Sequence, residues 1–95
     1  MRERTYAVYW NEPDGPRYAG RIALGPSFAE LSGGAAYGKR SLHRIFFNEI
    51  ESVGYERGRL ELRRRAGVPI RIGSIDGPGA LRELADRLQA ALAPA

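Results

Sequence analysis

The chain has 95 residues, no cysteine, one histidine and a formal net charge of +4, from 15 Lys and Arg against 11 Asp and Glu. This length makes one domain, residues 1–95, with room for a small core but not for a deep cleft holding its own cofactor. The lack of cysteine excludes a disulfide framework, thiolate catalysis and cysteine-ligated zinc or iron–sulfur sites, and His43 alone cannot build a multi-histidine metal site.

In chain order, MRERTYAVYWNEPDG carries basic residues, but its apolar run is only Tyr6 to Trp10, too short for a secretory signal. No stretch approaches a transmembrane segment, so a cytoplasmic protein is expected. Thr5 to Trp10 reads as a strand with Tyr6, Val8 and Trp10 on one face. Residues 11 to 16, NEPDGP, are turn chemistry: proline presets φ, and Asp with Gly completes the bend. Tyr18 to Leu24 is a second strand, ended by Gly25-Pro26, and Phe28 to Leu31 alternates as a third.

The stretch GGAAYGKRS, residues 33 to 41, nearly spells the phosphate loop G-x-x-x-x-G-K-[ST]. Arg40 occupies the hydroxyl position, and the residues that follow, LHRIFF, continue as a strand instead of opening a helix. A true phosphate loop needs that helix N-terminus, so this is read as a connection whose glycines supply positive φ. Leu42 to Phe47 and Glu51 to Glu56 are the next strands. After a turn at Gly58, RLELRRR places Leu60 and Leu62 on one face and Arg59, Glu61 and Arg63 on the other. Ala66-Gly67 turns again, and Ile70 and Ile72 flank Arg71 in the last strand.

The period then changes from two to 3.6. Pro78 suits a first helical position, with Asp76 and Gly77 placed to serve the cap. Leu81, Leu84, Leu88 and Leu92 form an apolar stripe over a helix at about 78–92. Arg82–Asp86 and Glu83–Arg87 stand as i,i+4 pairs away from that stripe. Six or seven short strands and one C-terminal amphipathic helix make a mainly β domain, with the helix covering an apolar surface such as the open end of a small barrel.

No catalytic constellation is visible. Ser41, Ser52 and Ser74 lack nucleophile-elbow context, His43 lies among Lys39, Arg40 and Arg44, and Glu49 and Glu51 read as solvated. The expectation is a protein that is not an enzyme and uses no cofactor. Charge is the strongest remaining signal. Between Arg57 and Arg71 there are six arginines and a single acid, Glu61, while the rest of the chain is close to neutral. Arg57, Arg59, Arg63, Arg65 and Arg71 form a candidate face for an anionic partner: nucleic acid, acidic lipid or an acidic protein surface. A plain solvated sheet face would want the same charges. Tyr6, Tyr9, Trp10 and Tyr18 read as core and edge packing instead of a base-stacking platform.

From Phe46 to Gln89 the chain resembles a bacterial pleckstrin-homology-like domain. The residues that carry the resemblance are the step Glu49-Ile50-Glu51-Ser52-Val53, the strand Leu60-Glu61-Leu62, the strand Ile70-Arg71-Ile72 and the closing helix, with Tyr18 to Leu24 fitting the early hairpin. The resemblance implies a barrel of six to seven antiparallel strands in two near-orthogonal sheets, closed by the helix. It implies a non-catalytic interaction module that binds a protein or its own copy, so a homo-oligomer is one expectation. The first hairpin loop holds two acids and one base, unlike the basic loops of inositol-lipid-binding members. A second resemblance, to PilZ nucleotide-binding barrels, rests on Arg17-Tyr18-Ala19-Gly20-Arg21 and on the spacing of Glu49 to Gly54, where Glu49 and Glu51 replace the Asp or Asn and the Ser of that motif.

Overall fold

The computed structural model describes residues 4–11, 16–35, 38 and 40–92. Seven strands run in chain order: β1 (Arg4–Asn11), β2 (Arg17–Leu24), β3 (Phe28–Gly34), β4 (Arg40–Phe46), β5 (Ile50–Glu56), β6 (Arg59–Arg64) and β7 (Ile70–Ser74). A helix, α1 (Pro78–Leu92), follows. All strand pairs are antiparallel, in the order β4-β3-β2-β1-β7-β6-β5, and the sheet curls into a half-barrel around one core.

The order is what the turns allow. Short connections hold β1 to β4 and β5 to β7 as two meanders, and β1 joins them by pairing with both β2 and β7. Its ladder with β2 spans Arg4 to Asn11, but its ladder with β7 covers only Val8 to Asn11. Beyond that point the chain leaves β7 for the helix, with the Ile75 amide donating to the Ala7 carbonyl.

Period-two alternation sends Tyr6, Val8 and Trp10 inward from β1, Leu60 and Leu62 from β6, and Ile70 and Ile72 from β7. In β5 the inward residues Ile50 and Val53 are three apart, because a register shift between Ile50 and Ser52 resets the parity. The helix buries Leu81, Leu84, Ala85 and Leu88 against β5, β6 and β7. At a rough 1.5–3 kcal/mol for each large apolar side chain taken out of water, this stripe is what holds α1 in place. Gln89 adds a tie, its side-chain amide donating to the Val53 carbonyl at 3.1 Å.

Several local details differ from the sequence pattern. β3 extends through Gly34, three residues past Leu31. β4 starts at Arg40 and stops at Phe46, because the Glu49 carboxylate accepts from the Phe46 amide at 3.2 Å and closes a single 3-10 turn over Phe47–Glu49. The near-phosphate loop splits: Gly33 and Gly34 belong to β3, and Gly38 has φ +76° ahead of β4. The turn residues Glu12 to Gly15, and Ala36, Tyr37 and Lys39, lie outside the described residues. Before α1, the Ser74 hydroxyl accepts from the amides of both Asp76 and Gly77, at 3.1 Å each. This role is hidden in the sequence because Ser74 reads as a strand residue.

Neither helix pair closes to ion-pair distance among the described residues. Glu83 instead accepts a hydrogen bond from the Tyr6 hydroxyl at 2.8 Å, which ties β1 to α1. Burial raises the Tyr6 pKa above its ordinary 10.0, and the Glu83 carboxylate raises it further, since the phenol donates to it and an ionised phenolate would face a like charge. The folded state therefore holds this proton more tightly than the unfolded chain. The resulting stability is fully present below pH 10 and is lost as pH rises through the elevated folded value. Thermal melts from pH 8 to pH 11 check this: wild type is expected to lose more stability above pH 10 than Tyr6→Phe, and parallel curves would refute the linkage.

Candidate functional site

The inner face of the sheet is filled by core side chains, which leaves the outer face of β5, β6, β7 and β1 as the place where polar groups converge. The register sets its lattice. Tyr9 lies opposite Gly73, and Leu60 opposite Ile72 brings Arg59 beside Gly73. In the next row Asn11 lies between Arg17 and Arg71, and Arg71 faces Glu61, which in turn faces Gly54. With only hydrogen at Gly54, the surface sinks there between taller neighbours, while at Gly73 the missing side chain leaves room for the Tyr9 ring.

The larger depression over β5 and β6 has a volume near 760 Å³ and is open to solvent. Arg57, Arg59, Arg63 and Arg71 surround it, with Glu56 and Glu61 the acids in its lining. Glu61 bridges two of the guanidinium groups: its Oε1 accepts from Arg63 Nε at 3.0 Å, and its Oε2 stands 3.7 Å from Arg71 Nε. Both arginine side chains remain about two-thirds exposed, so these pairs add little to stability and serve to hold the guanidiniums in place. Arg57 and Arg59 have no ion-pair partner among the described residues. Arg57 sits at the β5–β6 turn with φ +52°, followed by Gly58 at +74°. Two successive positive φ values favour Asn-Gly, so an arginine there carries backbone strain that a local optimum would avoid.

Arg65, the fifth sequence candidate, stands apart at the opposite end of β6. Its Nε donates to the Asn48 carbonyl at 3.0 Å, and its amide donates to the Glu49 carbonyl. Arg64 likewise donates to the Val68 carbonyl, at 2.9 Å from Nη2, and braces the β6–β7 turn. The basic window thus divides: two arginines bind backbone, and four line the depression. Sequence reasoning named Arg17 only in the Arg17–Arg21 step of the PilZ resemblance and did not place it on this face. Its guanidinium lies 5.0 Å from the centre of the Tyr9 ring, and that ring covers Gly73. Only the β1–β2 and β1–β7 registers bring Arg17 to the edge of this face.

No family model matches the chain, and no curated protein does. Among solved structures, the chain is similar to the C-terminal domain of an unknown protein from Leishmania infantum. The two share 11% identity at a TM-score of 0.65, over 90% of this chain and 82% of that one. At that identity the likeness speaks for the fold alone.

The other motif residues do not converge. Arg17 and Arg21 lie on β2, while Glu49 to Gly54 run into β5, and β1, β7 and β6 stand between. Among the described residues no group of three or more His, Cys, Asp or Glu is placed to hold a metal ion, and no helix is long and apolar enough to cross a membrane.

Proposed function

We propose that this chain is a pleckstrin-homology-like interaction module, and that it docks an acidic protein segment on the outer face of β5, β6 and β7. In this reading β1 is the seam of two near-orthogonal sheets, β1–β4 and β5–β7, with α1 closing one end. The strand order supports it, as does the short β1–β7 ladder against the full-length β1–β2 ladder.

The observation that carries the function is the open depression ringed by four arginines with Glu61 clamping two of them. Arginine is the side chain best suited to such a surface, because its planar fork meets carboxylates bidentately and is weakly hydrated. Arg57 supports the same reading, since an arginine lines the depression at a position whose backbone would favour another residue.

The test is anisotropy of a fluorescein-labelled peptide alternating Glu and Val, beside a mixed-sequence single-stranded DNA, at about 0.15 M salt, where exposed charges are screened beyond roughly 8 Å. The peptide is expected to bind, and the doubly reversed R59E/R71E chain to lose at least about tenfold in affinity, the equivalent of 1.4 kcal/mol. Peptide ignored and DNA retained would overturn the reading in favour of a nucleic-acid binder. Light scattering of the protein alone adds one arm. A salt-insensitive dimer abolished by R59E/R71E would make the docked segment a second copy of this chain.

A further inference from the structure

Beside the large depression lies a second, smaller one over β7 and β1, with a volume near 90 Å³. Its lining brings Arg17 from β2, Asn11 and Tyr9 from β1, Arg59 from β6 and Arg71 from β7 to one point. No carboxylate lines it among the described residues, in contrast to its larger neighbour. Arg59 and Arg71 belong to both depressions, so the two are continuous.

We infer that this small depression is a subsite for a single phosphate group, carried by a phosphorylated side chain of the docked segment. The inference rests on the docking reading above and names the chemistry its end would recognise. Size sets the first limit. At about 90 Å³ the depression has room for one tetrahedral oxyanion, and it opens into its larger neighbour, where the rest of the docked segment lies.

Charge sets the second. Three guanidinium groups with a carboxamide and a phenol offer donors from four strands, and a phosphate dianion has acceptor oxygens enough to meet several at once. Arg71 stands at 3.7 Å from Glu61, longer than the 3.0 Å of Arg63, and a guanidinium has five N–H donors. It can therefore reach the subsite without leaving Glu61. Arg17 is steadied by the Tyr9 ring at 5.0 Å, and the ring itself rests on Gly73, so the stack holds one wall of the subsite in position before any ligand arrives.

The experiment titrates the whole isotope-labelled chain with inorganic phosphate at fixed ionic strength, following amide and arginine Nε resonances. Saturable shifts at Asn11, Gly73 and Arg71 are expected, weakened at least about tenfold in Arg17→Gln and in Arg71→Gln, both exposed positions whose loss leaves the core intact. Shifts that never saturate, or that matched chloride reproduces, would overturn the subsite. A second arm compares the Glu-Val peptide with and without one phosphoserine. Roughly tenfold tighter binding of the phosphorylated form, lost in Arg17→Gln, is expected. Equal binding of both forms would overturn the subsite and leave the docking reading standing, whereas binding of neither would end both. If vesicles carrying a phosphorylated headgroup bind through Arg17 and the phosphopeptide does not, the protein source of the phosphate is refuted.

Discussion

Replacing Trp10 by alanine is expected to cost about 3–5 kcal/mol, the range for truncating a large buried aromatic. For a domain of this size that lowers the melting temperature by more than about 12 °C. Trp10 is fully buried at the C-terminal end of β1, where it stacks on Tyr18 with ring centres 5.6 Å apart and joins the core that Leu62, Ile70 and Ile72 complete. The loss is large because β1 belongs to both meanders, so a cavity there loosens the join between them. The indole Nε1 has no hydrogen-bond partner among the described residues, which offsets part of what the ring contributes. Trp10→Phe removes that orphaned donor and keeps most of the volume, and is expected to recover more than half of the loss. Urea unfolding of the two variants measures both effects. A cost below about 1 kcal/mol for Trp10→Ala would show that this end of the core collapses freely.

The second large effect lies in a pair of glycines. Gly20 of β2 and Gly33 of β3 are register partners, and the two backbones approach closely there. A Cβ on Gly20 would run into the Ser32 carbonyl oxygen and lie 2.6 Å from the Gly33 Cα. One on Gly33 would collide with the Ala19 carbonyl and lie 2.9 Å from the Gly20 Cα. The obstacle is backbone in both cases, so no side chain can swing aside. Gly20→Val is expected to force the two strands apart at a cost of about 3 kcal/mol, at the upper end for overpacking. Gly79 in the first turn of α1 provides the contrast, since nothing lies within 4 Å of a Cβ there. Gly79→Ala is expected to stabilise by up to about 1 kcal/mol through helix propensity. Chemical denaturation distinguishes the two, and a Gly20→Val chain as stable as wild type would refute the close approach.

The glycines also show why some features are legible in the sequence and others are not. Gly58 and Gly38 read as turns because a positive φ is a local demand that a local residue answers. Gly33 carries the same local signature and is nevertheless a strand residue, since its demand comes from Gly20, thirteen positions earlier in the chain. The arginines divide along the same line. Alternation with Leu60 and Leu62 is enough to assign Arg59 and Arg63 to an outer face, and both lie there. Nothing in that alternation distinguishes Arg65, which the end of β6 turns toward the Asn48 carbonyl. Arg17, forty-two residues before Arg59, enters the face only through the β1 ladders.

By itself the sequence determined the local elements: strands where apolar residues alternate, turns where Gly and Pro gather, and a terminal helix where the period becomes 3.6. These are set by interactions within a few residues, and six or seven strands with one helix follow from them, of which the structure has seven. Tertiary structure alone decided the pairing of β1 with β7, the approach of Gly20 to Gly33, the Tyr6–Glu83 hydrogen bond in place of the helix-surface pairs, and the meeting of Arg17 with Arg59 and Arg71. Each depends on the register between segments far apart in the chain, and register is fixed by the packing of the whole core around Trp10, Leu62 and Leu84, not by any one segment's composition.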